Sequence, residues 1–462
     1  MSLLIKNGRV ITSTDERDAD VLVEGETIVK IAASINAADH PNAEVIDASG
    51  KYVFPGFIDP HVHIHLPFMG TNAIDDHASA TKAALAGGTT TLIEMICPGP
   101  DDEPLAAFHE WKDLAAAGAC CDYSFHLSVV RFDELAQQQL RELVATEGVA
   151  SFKVFLAYKG ALDIADEQLF ELMKTARELG VIITAHCENA EAVDSMQKKL
   201  LSEGKTGPEW HEPSRPRSVE ADGVSHLCTF AELTGAHVYI VHTSNAAAVS
   251  QAMQAKSRGV NVFVEAVAPH LVLDKTYAER PDFEGAKYVM SPPLRDGEEH
   301  EHLWRSLASG DMVTIGTDHA PFKFSGQKDM GRDAFTLIPN GIPGVQERID
   351  LVHTHGVCAG RIDLKTMVDV CSTQAAKIFG MYPRKGEIAV GSDADVVIYD
   401  PHFTGVFSHA DAESQVDYSG YEGMERKGRC ELVIRRGDIV ARDGRYVGVG
   451  GGGCYLPRIP TH

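Results

Sequence analysis

The sequence predicts an α/β protein, a (β/α)8 TIM barrel joined to a small β-sandwich domain built from both termini. Three observations carry that reading. Residues 56–390 alternate short apolar runs with longer amphipathic ones, the pattern of repeated βα units. Eight strand candidates fall in that stretch, the number that closes a parallel barrel. Residues 1–55 and 391–462 instead carry short strands punctuated by turns, with almost no helical period. A doubly wound open sheet is the structural alternative.

In chain order the strand candidates are 56–63, 89–95, 122–130, 150–157, 181–186, 237–243, 260–267 and 312–317. Helix-like segments lie between them at 73–86, 132–146, 163–179 and 246–257, several closed by a glycine suited to a C-cap. Composition breaks near Phe54-Pro55-Gly56 and near 386–394 mark the expected domain boundaries. The run Gly450–Gly453, with Gly448, formally satisfies G-x-G-x-x-G, but prolines rather than a helix follow it, so it fails as a dinucleotide fingerprint. A flexible tail, or an arm reaching a neighbouring subunit, is the expectation there.

At 462 residues, with 44% hydrophobic and 23% charged residues, the chain has the composition of a globular protein large enough for one big domain and a smaller one. A formal net charge of -24 repels phosphate backbones and anionic lipid, so neither nucleic acid nor a membrane is an expected partner. The N-terminal apolar run is too short for a signal peptide, and the nine cysteines form no C-x-x-C pair. A cytoplasmic protein with reduced thiols is expected.

His61 and His63 end the first strand candidate, and residues i and i+2 of a strand point to one face. His186 ends the fifth candidate, His242 lies near the end of the sixth, and Asp318 follows the eighth. In such a barrel the functional face is at the C-terminal ends of the strands, so these side chains converge as a metal-ligand set. Lys153 interrupts the apolar fourth strand, where an unpaired ammonium is costly. It is either salt-bridged to a barrel carboxylate such as Glu94 or Glu265, or neutral and carboxylated to a carbamate.

The words Phe57-Ile58-Asp59-Pro60-His61-Val62-His63, Phe152-Lys153-Val154-Phe155, Thr184-Ala185-His186-Cys187-Glu188-Asn189, Ser291-Pro292-Pro293-Leu294-Arg295, Gly316-Thr317-Asp318-His319 and Ile338-Pro339-Asn340-Gly341 run nearly the length of the chain. By them it resembles the bacterial D-hydantoinases, in the dihydropyrimidinase branch of the amidohydrolase superfamily. The resemblance implies a hydrolase with two divalent metal ions, usually zinc, with cobalt or manganese as substitutes. His61, His63 and Asp318 would hold one ion, His186 and His242 the other, and N6-carboxylated Lys153 would bridge them. Tyr158 would hydrogen-bond the substrate, with Ser291 and Asn340 contacting the ring amide largely through backbone groups. A homotetramer is implied as well.

Two close cations lower the pKa of water, Asp318 would take its proton and return it to the departing nitrogen, and Tyr158 would stabilise the oxyanion. Related dihydroorotases carry His-x-His-x-Arg, whose arginine meets a substrate carboxylate; His65 stands there instead, expected as a pocket-wall residue. The apolar Leu66-Pro67-Phe68-Met69 suits a neutral imide ring with a hydrophobic substituent. By resemblance, this loop and the one around Phe155 shape the substituent pocket, with Leu66, Phe68 and Phe155 as its walls. The expected substrates are small cyclic ureides, 5-substituted hydantoins or 5,6-dihydropyrimidines, opened to N-carbamoyl amino acids. An allantoinase-like enzyme and a non-catalytic assembly protein are the alternatives.

Overall fold

The computed structural model describes residues 2–462. Eight parallel strands form one sheet: β1 (Phe57–Val62), β2 (Thr89–Ile96), β3 (Asp122–Ser128), β4 (Ser151–Phe155), β5 (Ile182–His186), β6 (Val238–Ile240), β7 (Val262–Val267) and β8 (Thr314–Gly316). Each falls on its sequence candidate. Strands wrapped by helices bury both faces, and nearly every residue of these eight is buried. The sheet closes where β1 meets β8: the Asp318 N–H donates to His61 O at 2.9 Å and the His63 N–H to His319 O at 2.8 Å. Closure rules out the open-sheet alternative and places three of the expected ligands at one seam.

The helices follow the 3.6-residue pattern. Asp166–Leu179 buries Leu169, Leu172, Met173 and Ala176 and ends at Gly180 with φ 69°. Ala246–Ser257 starts where Asn245 Oδ1 accepts from the Ala248 N–H at 3.1 Å. The segment expected as a helix over 73–86 becomes helical only at His77, where Asp76 and Ser79 make a capping box. The residues before it form a hairpin, Pro67–Phe68 against Thr71–Asn72.

A second sheet of nine strands is built from both ends of the chain. Val396–Val406 pairs antiparallel with Tyr52–Pro55 and with Glu425–Arg435, so the two termini are stitched together beside the barrel. Alternation along Val396–Val406 serves two cores. Val396 and Ile398 pack with Leu3, Val21 and Val53, while Val397 and Tyr399 join the barrel-side core with Phe54 and Phe57.

The C-terminal segment departs from the expectation of a flexible tail. It docks on the chain's own barrel: Leu456 N–H donates to Tyr123 O at 2.7 Å, Arg458 N–H to Gly148 O at 2.9 Å and His462 N–H to Gly180 O at 3.1 Å. Tyr455 stacks on Phe125 with ring centroids 5.7 Å apart. Gly380 permits the close approach, since a Cβ there would sit 2.1 Å from Ile459 O. Buried apolar and aromatic surface and main-chain bonds outweigh the flexibility of the preceding glycines.

Barrel and terminal sheet are pinned together by a buried ion cluster. Lys385 Nζ lies 2.6 Å from Asp122, 2.7 Å from Asp395 and 3.0 Å from Asp393. Burial pulls its pKa down, but the three carboxylates outweigh it and hold the pKa above the ordinary value. The stabilisation is therefore complete below about pH 10 and is lost as pH rises through the raised folded-state pKa. Lys385→Met strands the carboxylates, and denaturant unfolding is expected to show a loss of about 3–5 kcal/mol. A loss under about 1 kcal/mol would show that the cluster is not a structural pin.

Candidate metal centre and substrate site

Side chains from five staves meet at the C-terminal mouth of the barrel. His61 and His63 come from β1 and its exit, Lys153 from β4, His186 from β5, His242 from the exit of β6 and Asp318 from the exit of β8. His61, His63 and Asp318 each offer one ligand atom, all within 4.8 Å of one another. Asp318 Oδ1 lies 3.1 Å from His61 Nε2 and 3.2 Å from His63 Nε2. Beside them, His186 Nδ1 is 3.0 Å from His242 Nε2, and the His61 and His242 rings are 5.2 Å apart.

Supporting carboxylates orient the ring nitrogens. Glu265 Oε1 takes the Nδ1 side of His61 at 2.7 Å, and Glu188 Oε2 takes the Nε2 side of His186 at 2.7 Å. That leaves His61 Nε2 and His186 Nδ1 as lone pairs facing the centre, the arrangement metal ligands need. Glu265 also accepts from the Tyr239 hydroxyl and the His242 N–H, each at 2.8 Å, and Arg215 pairs with Glu188. Gly316 makes room: a Cβ there would meet Glu265 Oε2 at 2.9 Å and His61 Cβ at 3.1 Å.

Electrostatics separate the two halves of the centre. Burial would lower the His61 pKa, but the Glu265 and Asp318 carboxylates outweigh it and raise it to about 9. A field that favours a proton there also favours a cation. Burial pulls His186 down and His242 well below the imidazole range, which keeps both neutral and able to ligate. For Asp318, burial alone would raise the pKa, yet the charge of the adjacent His61 and the close His61 and His63 imidazoles hold it well below the carboxylate range.

Lys153 is fully buried, and its Nζ has no hydrogen-bond partner among the described residues. Neither expected salt bridge forms, because Glu94 is bonded to His77 and Trp111 while Glu265 holds His61. Burial lowers the Lys153 pKa to about 8, against the pull of Asp318 and Glu265. His61 Nε2, His63 Nδ1 and His242 Nδ1 are also buried without hydrogen-bond partners. Orphaned donors and acceptors of this kind, in a set of imidazoles and a carboxylate, fit two divalent cations.

Tyr158, His242 and Asp318 adopt positive φ of 63°, 39° and 53° just beyond β4, β6 and β8. Non-glycine residues held there cost about 1–3 kcal/mol each, a strain that packing at a working site sustains. The inner cavity is lined by His63, Lys153, His186, His242 and Asp318 together with Tyr158, Ser291, Asn340, Leu66, Phe68 and Phe155. At about 40 Å³ it holds about three water-sized groups. An outer cavity of about 360 Å³ shares Phe68, Tyr158, Leu162 and Asn340 with it. Asn340 Nδ2 donates to Ser291 Oγ at 2.9 Å, so these side chains hold each other.

Residues 52–440 match the amidohydrolase family. The chain belongs to that family. This amidohydrolase is 43% identical over 459 residues to the D-hydantoinase of Geobacillus stearothermophilus, covering 99% of this chain and 97% of the relative. It is 38% identical over 462 residues to the dihydropyrimidinase of Rattus norvegicus, covering 99% and 89%. The solved D-hydantoinase (dihydropyrimidinase) from Thermus sp. superposes with a TM-score of 0.97 at 54% identity, covering 99% of each chain.

Of the residues expected to ligate metal or meet the substrate, all but His61 line the inner cavity, and His61 sits against His63 and Asp318. His65, expected as a pocket wall, is exposed at φ 54° and lines neither cavity. His319 turns away, with its Nε2 3.1 Å from Asp75. Sequence reading missed Glu188 and Arg215 and gave Glu265 the wrong partner. The only signal for Glu188 was its place two residues beyond His186.

Proposed function

We propose that this chain is a binuclear metal-dependent cyclic amidohydrolase that opens 5-substituted hydantoins or 5,6-dihydropyrimidines to N-carbamoyl amino acids. The observation that carries the reading is the buried, partnerless Lys153 amid four imidazoles and Asp318. His61, His63 and Asp318 would hold one cation and His186 and His242 the other, with Lys153, as its carbamate, between them. When bound, the cations, zinc in this proposal, supply Lewis acidity and make water a nucleophile near neutral pH.

The chain's own groups do the rest. Asp318, ionised at neutral pH, accepts the proton of the attacking water at its carboxylate. The protonated carboxyl then returns that proton to the ring nitrogen as the C–N bond breaks. Burial keeps the Tyr158 phenol protonated, so its O–H can donate to the oxyanion as charge develops. Backbone groups at Ser291 and Asn340 orient the ring amide, and Leu66, Phe68 and Phe155 exclude water around the substituent.

No helix among the described residues is long and apolar enough to cross a membrane. All nine cysteines are free thiols, which supports a cytoplasmic location. A homotetramer, and a folding unit made of residues 1–55 and 391–462 beside the 56–390 barrel, complete the proposal. Filled ligand positions argue against the non-catalytic assembly reading.

Metal analysis combined with a substrate panel tests the function. About two metal equivalents per chain are expected. Turnover of dihydrouracil or 5-substituted hydantoins should vanish on chelation and return with added zinc. A metal-loaded enzyme that opens allantoin alone, or no imide ring at all, would overturn the assignment.

A further inference from the structure

Gln327 and Lys328, two consecutive residues at the start of the short turn Lys328–Gly331, reach three segments that wall the substrate cavity. Lys328 is fully buried, and its Nζ donates to Val289 O at 3.0 Å and Pro339 O at 2.9 Å. Val289 lies two residues before Ser291, and Pro339 directly precedes Asn340. The same carbonyl of Val289 accepts from the Gly341 N–H at 2.9 Å, so the two segments are tied on both sides of the lysine. Gln327 reaches the other way: its Nε2 donates to Thr71 Oγ1 at 2.8 Å and Asn72 O at 2.6 Å. Thr71 pairs with Phe68 across the mouth hairpin.

A buried ammonium without a carboxylate is costly, and burial pulls the Lys328 pKa down to about 7. Its hydrogen-bond partners are main-chain carbonyls rather than a counter-ion, and an apolar side chain would take that donor from both. What the amine supplies is two directed hydrogen bonds to main-chain carbonyls beneath the ring-binding residues. Neither Gln327 nor Lys328 lines the cavities.

We propose that Gln327 and Lys328 form a positioning brace that sets the gap between the Ser291/Asn340 shelf and the hairpin wall carrying Phe68. The proposal rests on the reading of Ser291 and Asn340 as ring contacts. Lys328 then governs binding of the ring itself, and Gln327 governs binding of the substituent.

The test uses the full-length, metal-loaded enzyme with unsubstituted hydantoin and a hydantoin bearing an aromatic 5-substituent. Lys328→Met is expected to raise KM for both rings about tenfold, with kcat within about threefold and metal content unchanged. Lys328→Gln, which keeps an NH2 able to donate twice, should recover part of that loss. Gln327→Leu is expected to raise KM about fivefold for the substituted ring alone, lowering the selectivity ratio. Unchanged KM in Lys328→Met, or a fall in kcat and metal content without a KM effect, overturns the brace. Should Lys328→Met not fold, the Gln327→Leu ratio decides, and an unchanged ratio overturns the proposal. A crystal structure with bound product separates the two readings: if the ring amide does not meet the main chain of Ser291 and Asn340, the shelf itself is wrong; if it does while Lys328→Met leaves KM unchanged, only the brace fails.

Discussion

Lys153→Ala is expected to lower ring-opening activity by about a thousandfold or more and to leave the protein without its full pair of cations. The lysine sits on β4 with its amine buried and unpaired, lining the same cavity as His63, His186, His242 and Asp318. A pKa drawn down to about 8 makes the neutral amine accessible near neutral pH, and only the neutral amine can add to carbon dioxide. Loss of the ammonium proton, addition of carbon dioxide to the free amine and loss of one N–H proton would replace a cation that repels metal with an anion bearing two ligand oxygens. Lys153→Arg should fail equally, because it keeps the positive charge and cannot be carboxylated. Metal quantitation beside steady-state kinetics checks this, and a short carboxylic acid filling the space left by alanine should restore part of the turnover. Full loading of the alanine variant would remove the lysine from the centre.

Asp318→Asn is expected to reduce kcat by about a hundredfold to ten-thousandfold while KM changes little. The amide is nearly isosteric and keeps an oxygen beside His61 and His63, but it cannot take a proton at neutral pH. The loss therefore falls on the chemical step. Steady-state kinetics with metal content measured on the same sample separates this from loss of a cation. A kcat equal to that of the parent enzyme would assign proton transfer elsewhere.

The eight barrel strands and most of the centre were legible because their signals are local. A two-residue period puts His61 and His63 on one face, and a lone lysine in Phe152-Lys153-Val154-Phe155 announces itself by its cost of burial. The supporting partners had no such signal. Glu265 is 204 residues from the histidine it orients, and only closure of the barrel puts them 2.7 Å apart. The helix expected over 73–86 starts only at His77, where the Asp76 cap sets its first turn. His65 was misplaced because its positive φ rotates it off the strand direction, which no pattern of residue types reveals.

Periodicity and residue chemistry along the chain thus specified a parallel barrel, its functional end and the kinds of side chain gathered there. Folding settled the rest: which carboxylate each histidine answers to, that Lys153 has no counter-ion, that the C-terminal segment clasps its own barrel, and how Lys328 joins the walls of the cavity. The difference lies in range. Strand and helix periods repeat within a few residues, whereas hydrogen-bond partners and burial are set by contacts between segments hundreds of residues apart, which exist only after the chain has closed on itself.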